Sequence, residues 1–124
     1  MSQYIERGPI TRTADEAIPQ FSTVTITATG VKVCDLADSC HGTAVDAAAI
    51  GERVAVRLLS QGTHKVIAQE AFVEGATLYT EANGKVQDTA AATANPCFIA
   101  LEAATADGDI VEALPLPYGG PAAS

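Results

Sequence analysis

The sequence predicts a small all-β domain, a barrel or sandwich with an extended N-terminal arm and at most one short helix. Short valine-bearing runs alternate with glycine turns at near-regular intervals through the second half of the chain, a spacing typical of several short strands. The dipeptide Asn83-Gly84 indicates a hairpin. Aromatic residues are scarce, with three Phe, three Tyr and no Trp, so the core must consist of small and β-branched side chains.

The two ends of the chain have compositions unlike that of the middle. Residues 1–20 mix charges with Pro9 and Pro19 and show no hydrophobic period, and a residue that precedes proline is held in extended geometry. Residues 117–124 are rich in proline and glycine and cannot continue a central strand. We therefore predict an extended arm over residues 1–20, a β domain over residues 21–116 and a flexible tail over residues 117–124.

The β domain is predicted to begin with two paired strands. Apolar Val24 and Ile26 alternate with threonines over residues 23–28, the period of a half-buried strand. Gly30 permits a tight turn into residues 31–36, an antiparallel partner. A short helical turn follows over residues 44–49, because Thr43 can cap a run of alanines. The other predicted strands are residues 53–59, 65–68, 76–80, 85–87, 98–103 and 110–116.

Length and charge narrow the classes of partner. With 124 residues the chain is predicted to be one domain with one core. Fifteen acidic against seven basic residues give a formal charge of −8, which repels a nucleic-acid backbone. No polybasic cluster favours an anionic membrane surface, and no apolar stretch reaches the roughly 20 residues of a membrane helix. We expect neither nucleic acid nor membrane as a partner.

The residue types that carry metal or thiol chemistry are few and badly spaced. No C-x2-C zinc knuckle occurs among the three cysteines and two histidines of the chain, Cys34, Cys40, Cys97, His41 and His64. We expect free thiols, as in a reducing compartment, and no metal. A thiol enzyme would need a third group to orient the imidazole, and the sequence places none. We therefore predict no catalytic residue, no cofactor and no enzymatic activity.

Charged clusters also have simple interpretations. Asp35, Asp38 and Asp46 lack the alternating ligands and central glycine of a calcium loop, so they indicate a solvated acidic loop. Arg53 and Arg57 fall on the same face of a predicted strand. They can contact an acidic partner or balance nearby carboxylates on a solvent face.

The second half of the chain resembles the small capsid decoration, or cement, proteins of tailed bacteriophages. The resemblance covers residues 21–116 and rests on the succession of turns and strands: Gly51-Glu-Arg-Val-Ala-Val56, Gly75-Ala-Thr-Leu-Tyr79, Gly84-Lys-Val86, Phe98-Ile-Ala-Leu-Glu-Ala-Ala104, Gly108-Asp-Ile-Val111 and Leu114-Pro-Leu116. It implies a non-enzymatic module that binds the major capsid protein on the outer surface of the head. It also implies a homo-oligomer, with a trimer favoured, made in the host cytoplasm.

The predicted arm gives such a module a means of contact, since an extended segment can add a strand to a neighbouring protein. Tyr4 and Ile5 are the expected apolar anchors, and Arg7 and Arg12 the expected polar ones. Two alternatives stay open. One is a small ligand-binding β-barrel, whose pocket would need aromatic walls, and the other is a thiol-dependent enzyme that uses Cys40 or Cys97.

Overall fold

The computed structural model describes residues 10–59, 62–89 and 94–116. These residues form two antiparallel five-stranded sheets in a sandwich-like arrangement that does not close into a barrel. The all-β prediction is confirmed. The first sheet has the order β1-β5-β4-β2-β3, with β1 (Ile10–Thr13), β2 (Thr23–Ile26), β3 (Val31–Val33), β4 (Gly42–Ala44) and β5 (Arg53–Leu58). The second has the order β6-β10-β9-β7-β8, with β6 (His64–Ile67), β7 (Thr77–Thr80), β8 (Val86–Gln87), β9 (Pro96–Ala100) and β10 (Ile110–Pro115).

The two sheets are repeats of one fold. Counted from the first strand of each sheet, the spatial order is the same. The isolated bridges also correspond: a parallel bridge and an antiparallel bridge occur at matching places in each sheet. They join Ala14 to Val31 and Ile18 to Ala48 in the first repeat, and Ala68 to Val86 and Phe72 to Ala104 in the second. The chain is therefore a tandem repeat.

Each repeat has its own buried cluster of small and branched side chains, as the composition requires. Ile18, Val24 and Val56 are among the largest buried side chains of the first, and Phe98 and Leu78 of the second. The loop after β3 contributes two cysteines to the second cluster, so this loop ties the repeats together.

The Asn83-Gly84 hairpin prediction is confirmed, and the turn has a second role. A short 3-10 turn over Ala82–Gly84 joins β7 to β8, with φ of 66° at Asn83 and 73° at Gly84. The Gly84 amide donates to the carbonyl of Cys34 at 2.9 Å. A Cβ at Gly84 would lie 2.6 Å from the Ser22 Cβ and 2.8 Å from a Val33 methyl group. The turn is thus packed directly onto the first repeat.

The folded body begins by residue 10. The sequence had predicted that it would begin at residue 21. β1 pairs with β5 over four residues, and Ala14 and Ile18 are each only 1% exposed. Residues 10–20 are therefore part of the first repeat. Of the predicted arm, residues 1–9 lie outside the described residues, as does the predicted tail over residues 117–124.

The predicted helical turn over residues 44–49 is wrong. Gly42–Ala44 forms β4, which pairs with β2 on one side and β5 on the other. Ala48 then bridges to Ile18. The local preference of alanine for helix amounts to tenths of a kcal/mol per residue, and pairing with two neighbouring strands outweighs it. The other predicted strands are present, with bounds shifted by one to three residues.

Candidate functional site

Of the four predicted contact residues, Tyr4, Ile5 and Arg7 lie outside the described residues. Arg12 is half-buried on β1, and its guanidinium donates within its own chain. Nη2 lies 2.6 Å from the carbonyl oxygen of Thr27 and 3.3 Å from that of Gly30. This side chain therefore holds the turn between β2 and β3, a structural role.

The two arginines of β5 lie on the same face of the strand, as predicted. This is the outward face of the first sheet, because Val54 and Val56 between them are buried. Arg53 is exposed and makes one long hydrogen bond, 3.5 Å, to the carbonyl of Thr11. Arg57 is half-buried, and its Nε donates to the carbonyl of Thr63 at 2.9 Å. Arg57 thus links β5 to Thr63 at the start of the second repeat, while Arg53 remains on the surface.

A shallow pocket of about 270 Å³ lies between the two repeats. Ligand pockets typically measure about 300–1,000 Å³ and have largely apolar, often aromatic walls. Apart from the imidazole of His64, Phe21 is the one aromatic side chain that lines the pocket. The pocket therefore gives little support to the ligand-binding alternative. Its lining consists of Phe21, Thr43, Ala44, Val45, Arg57, Thr63, His64, Lys65 and Glu112.

A buried histidine lines this pocket and links the two repeats. His64 Nδ1 shares a 2.7 Å hydrogen bond with the hydroxyl of Thr43 on β4, and the imidazole packs against Phe98 with ring centroids 5.5 Å apart. Burial, assisted by the positive charge of Arg57, lowers the pKa of His64 from 6.5 to about 4. The imidazole is therefore neutral at physiological pH and serves packing.

This histidine predicts how stability depends on pH. The unfolded chain binds a proton at His64 below about pH 6.5, but the folded chain binds it only below about pH 4, so the free energy of unfolding falls as pH falls through this window. Between pH 6.5 and 5 the loss is about 1.6 kcal/mol. Urea unfolding of wild type and His64→Gln at both pH values measures it. An equal pH slope in the two proteins would contradict the prediction.

The three cysteines are free, buried and in one cluster. Interactions with the thiols of Cys34 and Cys97, together with burial, raise the pKa of Cys40 well above its usual value, so this thiol, which donates to the carbonyl of Gly42 at 3.5 Å, stays protonated at neutral pH. The neighbouring His41 is bound elsewhere, since its Nδ1 accepts from the amide of Ile26 at 2.9 Å. The thiolate–imidazole pair that a cysteine enzyme requires is not formed at Cys40.

A hydrogen bond and an ion pair within the chain fix the acidic loop at Asp38. Asp38 accepts from the amide of Asp35 at 3.0 Å and forms a 2.9 Å ion pair with Lys32. The backbone hydrogen bond and the ion pair both lower the pKa of Asp38. Within the described ranges, no group of three His, Cys, Asp or Glu side chains is arranged to hold a metal ion.

The outward face of the second sheet carries several exposed apolar side chains, on either side of the exposed charged residues Lys65 and Glu112. Ile110 and Leu114 on β10 are each 44% exposed, and Leu101, beside them, is 37% exposed. The strand register adds half-buried Ile67 opposite Ile110 and half-buried Ile99 opposite Leu114. We call these five residues the apolar face. Exposed apolar side chains grouped on one sheet face commonly mark an interaction site.

Sequence reasoning missed the apolar face. β10 carries apolar residues on both of its sides, with Val111 and Ala113 inward and Ile110 and Leu114 outward. A half-buried strand would alternate apolar with polar residues. The apolar residues at 110 and 114, where that alternation calls for polar ones, could have revealed the apolar face.

Comparisons with known proteins agree with the fold. The N base of head fiber gp8.5 of bacteriophage phi29, a solved structure, superposes with a TM-score of 0.72 at 17% sequence identity, covering 88% of this chain and 93% of that one. At this identity the likeness concerns the fold alone. A search of curated proteins finds no match. Among the described residues, no helix is long and apolar enough to cross a membrane.

The family comparison is more specific, because it matches sequence along nearly the whole chain. The matching family model is described as "Phage cement protein" and aligns with residues 5–114. The match includes β1 and both repeats, so it extends further toward the N-terminus than the succession of turns that first suggested the resemblance. The chain belongs to the phage cement protein family.

Proposed function

We propose that this protein is a non-enzymatic decoration protein that binds the major capsid protein on the outer surface of a phage head and stabilises the shell. The observation that carries the proposal is the family match over residues 5–114. The structure supplies a physical basis: a compact body made of two packed repeats, with an exposed apolar face. We further propose that it is made in the host cytoplasm and acts as a homo-oligomer, with a trimer favoured.

The proposed contact with the shell involves the segment before β1. Tyr4 and Ile5 are the proposed apolar anchors and Arg7 the polar one. Arg12 is assigned to the fold and not to the contact, because its guanidinium is bound to the turn at residues 27–30. The net charge of −8 disfavours nucleic acid as a partner.

The test uses closed, DNA-free heads of the phage that encodes the protein, stripped of decoration. Purified protein is added from outside, and the heads are sedimented. We expect saturable co-sedimentation and a higher melting temperature of the shell, because a ligand that binds only the assembled state stabilises it. Heads of an unrelated phage serve as the control. Protein that stays in the supernatant, or that leaves the melting temperature of the shell unchanged, would contradict the proposal.

A further inference from the structure

The Asn83-Gly84 turn brings together the atoms of a reaction between a side chain and the backbone. Asparagine is one of the chemically labile residues of proteins, above all before glycine, which has no side chain to block an attack by its amide nitrogen. In this reaction the Gly84 nitrogen loses its proton to a base and bonds to the side-chain carbonyl carbon of Asn83. A five-membered succinimide ring forms, and the side-chain nitrogen leaves as ammonia. Water then opens the ring, so the net change converts amide and water into carboxylic acid and ammonia.

In the folded protein the side chain is open to this reaction, but the attacking nitrogen is not. Asn83 is exposed, whereas Gly84 is buried. The Gly84 amide donates its proton to the carbonyl of Cys34 at 2.9 Å. The side chains of Ser22 and Val33 lie so close to its Cα that a Cβ would not fit between them. The nitrogen is therefore shielded from the base that must remove its proton.

The backbone conformation of the turn also keeps the reacting atoms apart. Asn83 has φ of 66° and ψ of 23°. At this ψ the tetrahedral geometry of an L-residue directs the Gly84 nitrogen away from the Asn83 side chain. Closing the ring requires rotation about the Cα–C bond of Asn83 by more than a right angle. Gly84 cannot follow that rotation while its amide is bound to Cys34, so the reaction requires the turn to leave the first repeat.

Two further contacts hold the repeats together near this turn. Thr80 is fully buried on β7, and its hydroxyl donates to the carbonyl of Leu36 at 2.7 Å. The side-chain amide of Asn95 donates to the carbonyl of Asp38 at 2.9 Å. We call these two contacts, together with the hydrogen bond from Gly84, the repeat junction. The free energy of opening the junction determines how often the turn is released.

We propose that Asn83 is a deamidation site and that the repeat junction sets the rate of its deamidation. While the junction is closed, the asparagine stays intact. Each opening frees the Gly84 amide and lets the ring close. The co-reactants are water and hydroxide, so no enzyme is required. The proposal concerns the chemistry of the chain itself and does not depend on the proposed function.

The products of deamidation do not restore the closed turn. Water that opens the ring at one carbonyl gives aspartate. Opening at the other gives isoaspartate, in which the backbone runs through the former side chain and is longer by one methylene group. Both products add a negative charge to a protein whose net charge is already −8. The longer backbone also displaces Gly84 from a position with no room for one more carbon. Deamidation therefore weakens the junction that had prevented it.

The experiment compares the folded and the unfolded full chain. Both are incubated in heavy-oxygen water at one mildly alkaline pH, without and with urea, and the heavy oxygen marks every deamidation that occurs during the incubation. Trypsin cleaves after Lys65 and Lys85, which places Asn83 and Asn95 in different peptides for mass spectrometry. Asn83 should deamidate about tenfold more slowly, or slower still, in the folded protein. Asn95 should stay intact in both, because the nitrogen of Pro96 carries no hydrogen.

Two variants of β7 separate the repeat junction from the reacting residues. Thr80→Val removes the hydroxyl that binds the carbonyl of Leu36, so Asn83 should deamidate several-fold faster than in wild type when folded and equally fast in urea. Thr77→Val makes the same change at an exposed position of the strand and should alter neither rate. Circular dichroism shows whether each variant is folded. If Thr80→Val is not, urea below the unfolding midpoint should accelerate the reaction in wild type.

Other outcomes overturn the proposal. Equal rates in folded and unfolded wild type would show that the junction does not protect Asn83. A folded Thr80→Val protein that reacts no faster than Thr77→Val would show that other contacts set the rate. An Asn83 that stays intact even in urea would remove the site altogether. None of these results bears on the binding of the protein to heads, so the proposed function is tested separately.

Discussion

Replacing Gly84 by alanine is expected to destabilise the protein by about 2–4 kcal/mol. A residue with a Cβ resists a φ of 73°, at a cost of about 1 kcal/mol or more. The new methyl group would also lie 2.6 Å from the Ser22 Cβ and 3.1 Å from the backbone oxygen of Thr23. Overpacking of this kind typically adds about 1–3 kcal/mol. The midpoint of urea unfolding at pH 7 measures the sum.

A matched substitution separates the two contributions. Gly108 also has a positive φ, 94°, but a Cβ there would meet no atom within 4 Å. Gly108→Ala should therefore cost only about 1 kcal/mol, the conformational part. If both variants lose the same stability, the turn at Gly84 is not tightly packed against the first repeat. The contact that holds the two repeats together then lies elsewhere.

Deleting residues 2–17 is expected to remove most of the stability of the protein, whereas deleting residues 2–9 should leave it nearly unchanged. The longer deletion removes β1 and the buried Ala14, which uncovers the edge of β5 and opens the cluster of the first repeat. Since a domain this size is stable by only about 5–15 kcal/mol in total, cooperative unfolding of the first repeat should be lost. The shorter deletion removes no described strand.

Binding to heads tests the proposed arm in the same pair of proteins. The protein lacking residues 2–9 should fold and melt like wild type but fail to sediment with heads, because Tyr4, Ile5 and Arg7 are gone. Sedimentation with wild-type affinity would move the contact onto the β body. A large loss of stability in the shorter deletion would show instead that residues 2–9 belong to the fold.

Local sequence patterns predicted the elements whose signal is local. The alternation over residues 23–26 and the turn at Gly30 gave β2 and β3, in the antiparallel pairing observed. The positive φ that Asn and Gly tolerate gave the hairpin at residues 83–84. In each case the neighbours in sequence are also the partners in space.

The elements that sequence reasoning missed depend on distant partners. β1 pairs with β5 more than forty residues away, and its own residues, Ile-Thr-Arg-Thr, resemble the charged segment before them. β4 has glycine and alanine at two of its three positions and becomes a strand because β2 and β5 lie on either side of it. Context of this kind routinely overrides local propensity.

The tandem repeat was also visible in the sequence, though faintly. Ala14-Asp-Glu-Ala-Ile18 matches Ala68-Gln-Glu-Ala-Phe72, and both segments lead into a bridge at their last residue. Further identities fall at buried or turn positions: Val31 with Val86, Ala48 with Ala104, and Gly51 with Gly108. The reason is physical: a β-fold requires that inward positions stay apolar and that turns stay permissive, whereas outward positions can differ between the repeats.

The doubling of one fold within a single chain changes how subunits are counted. A ring of n chains carries 2n copies of the same module, so an odd-numbered ring still contains an even number of modules. Three chains, the number favoured in the proposed function, would present six modules of one shape but of two sequence types.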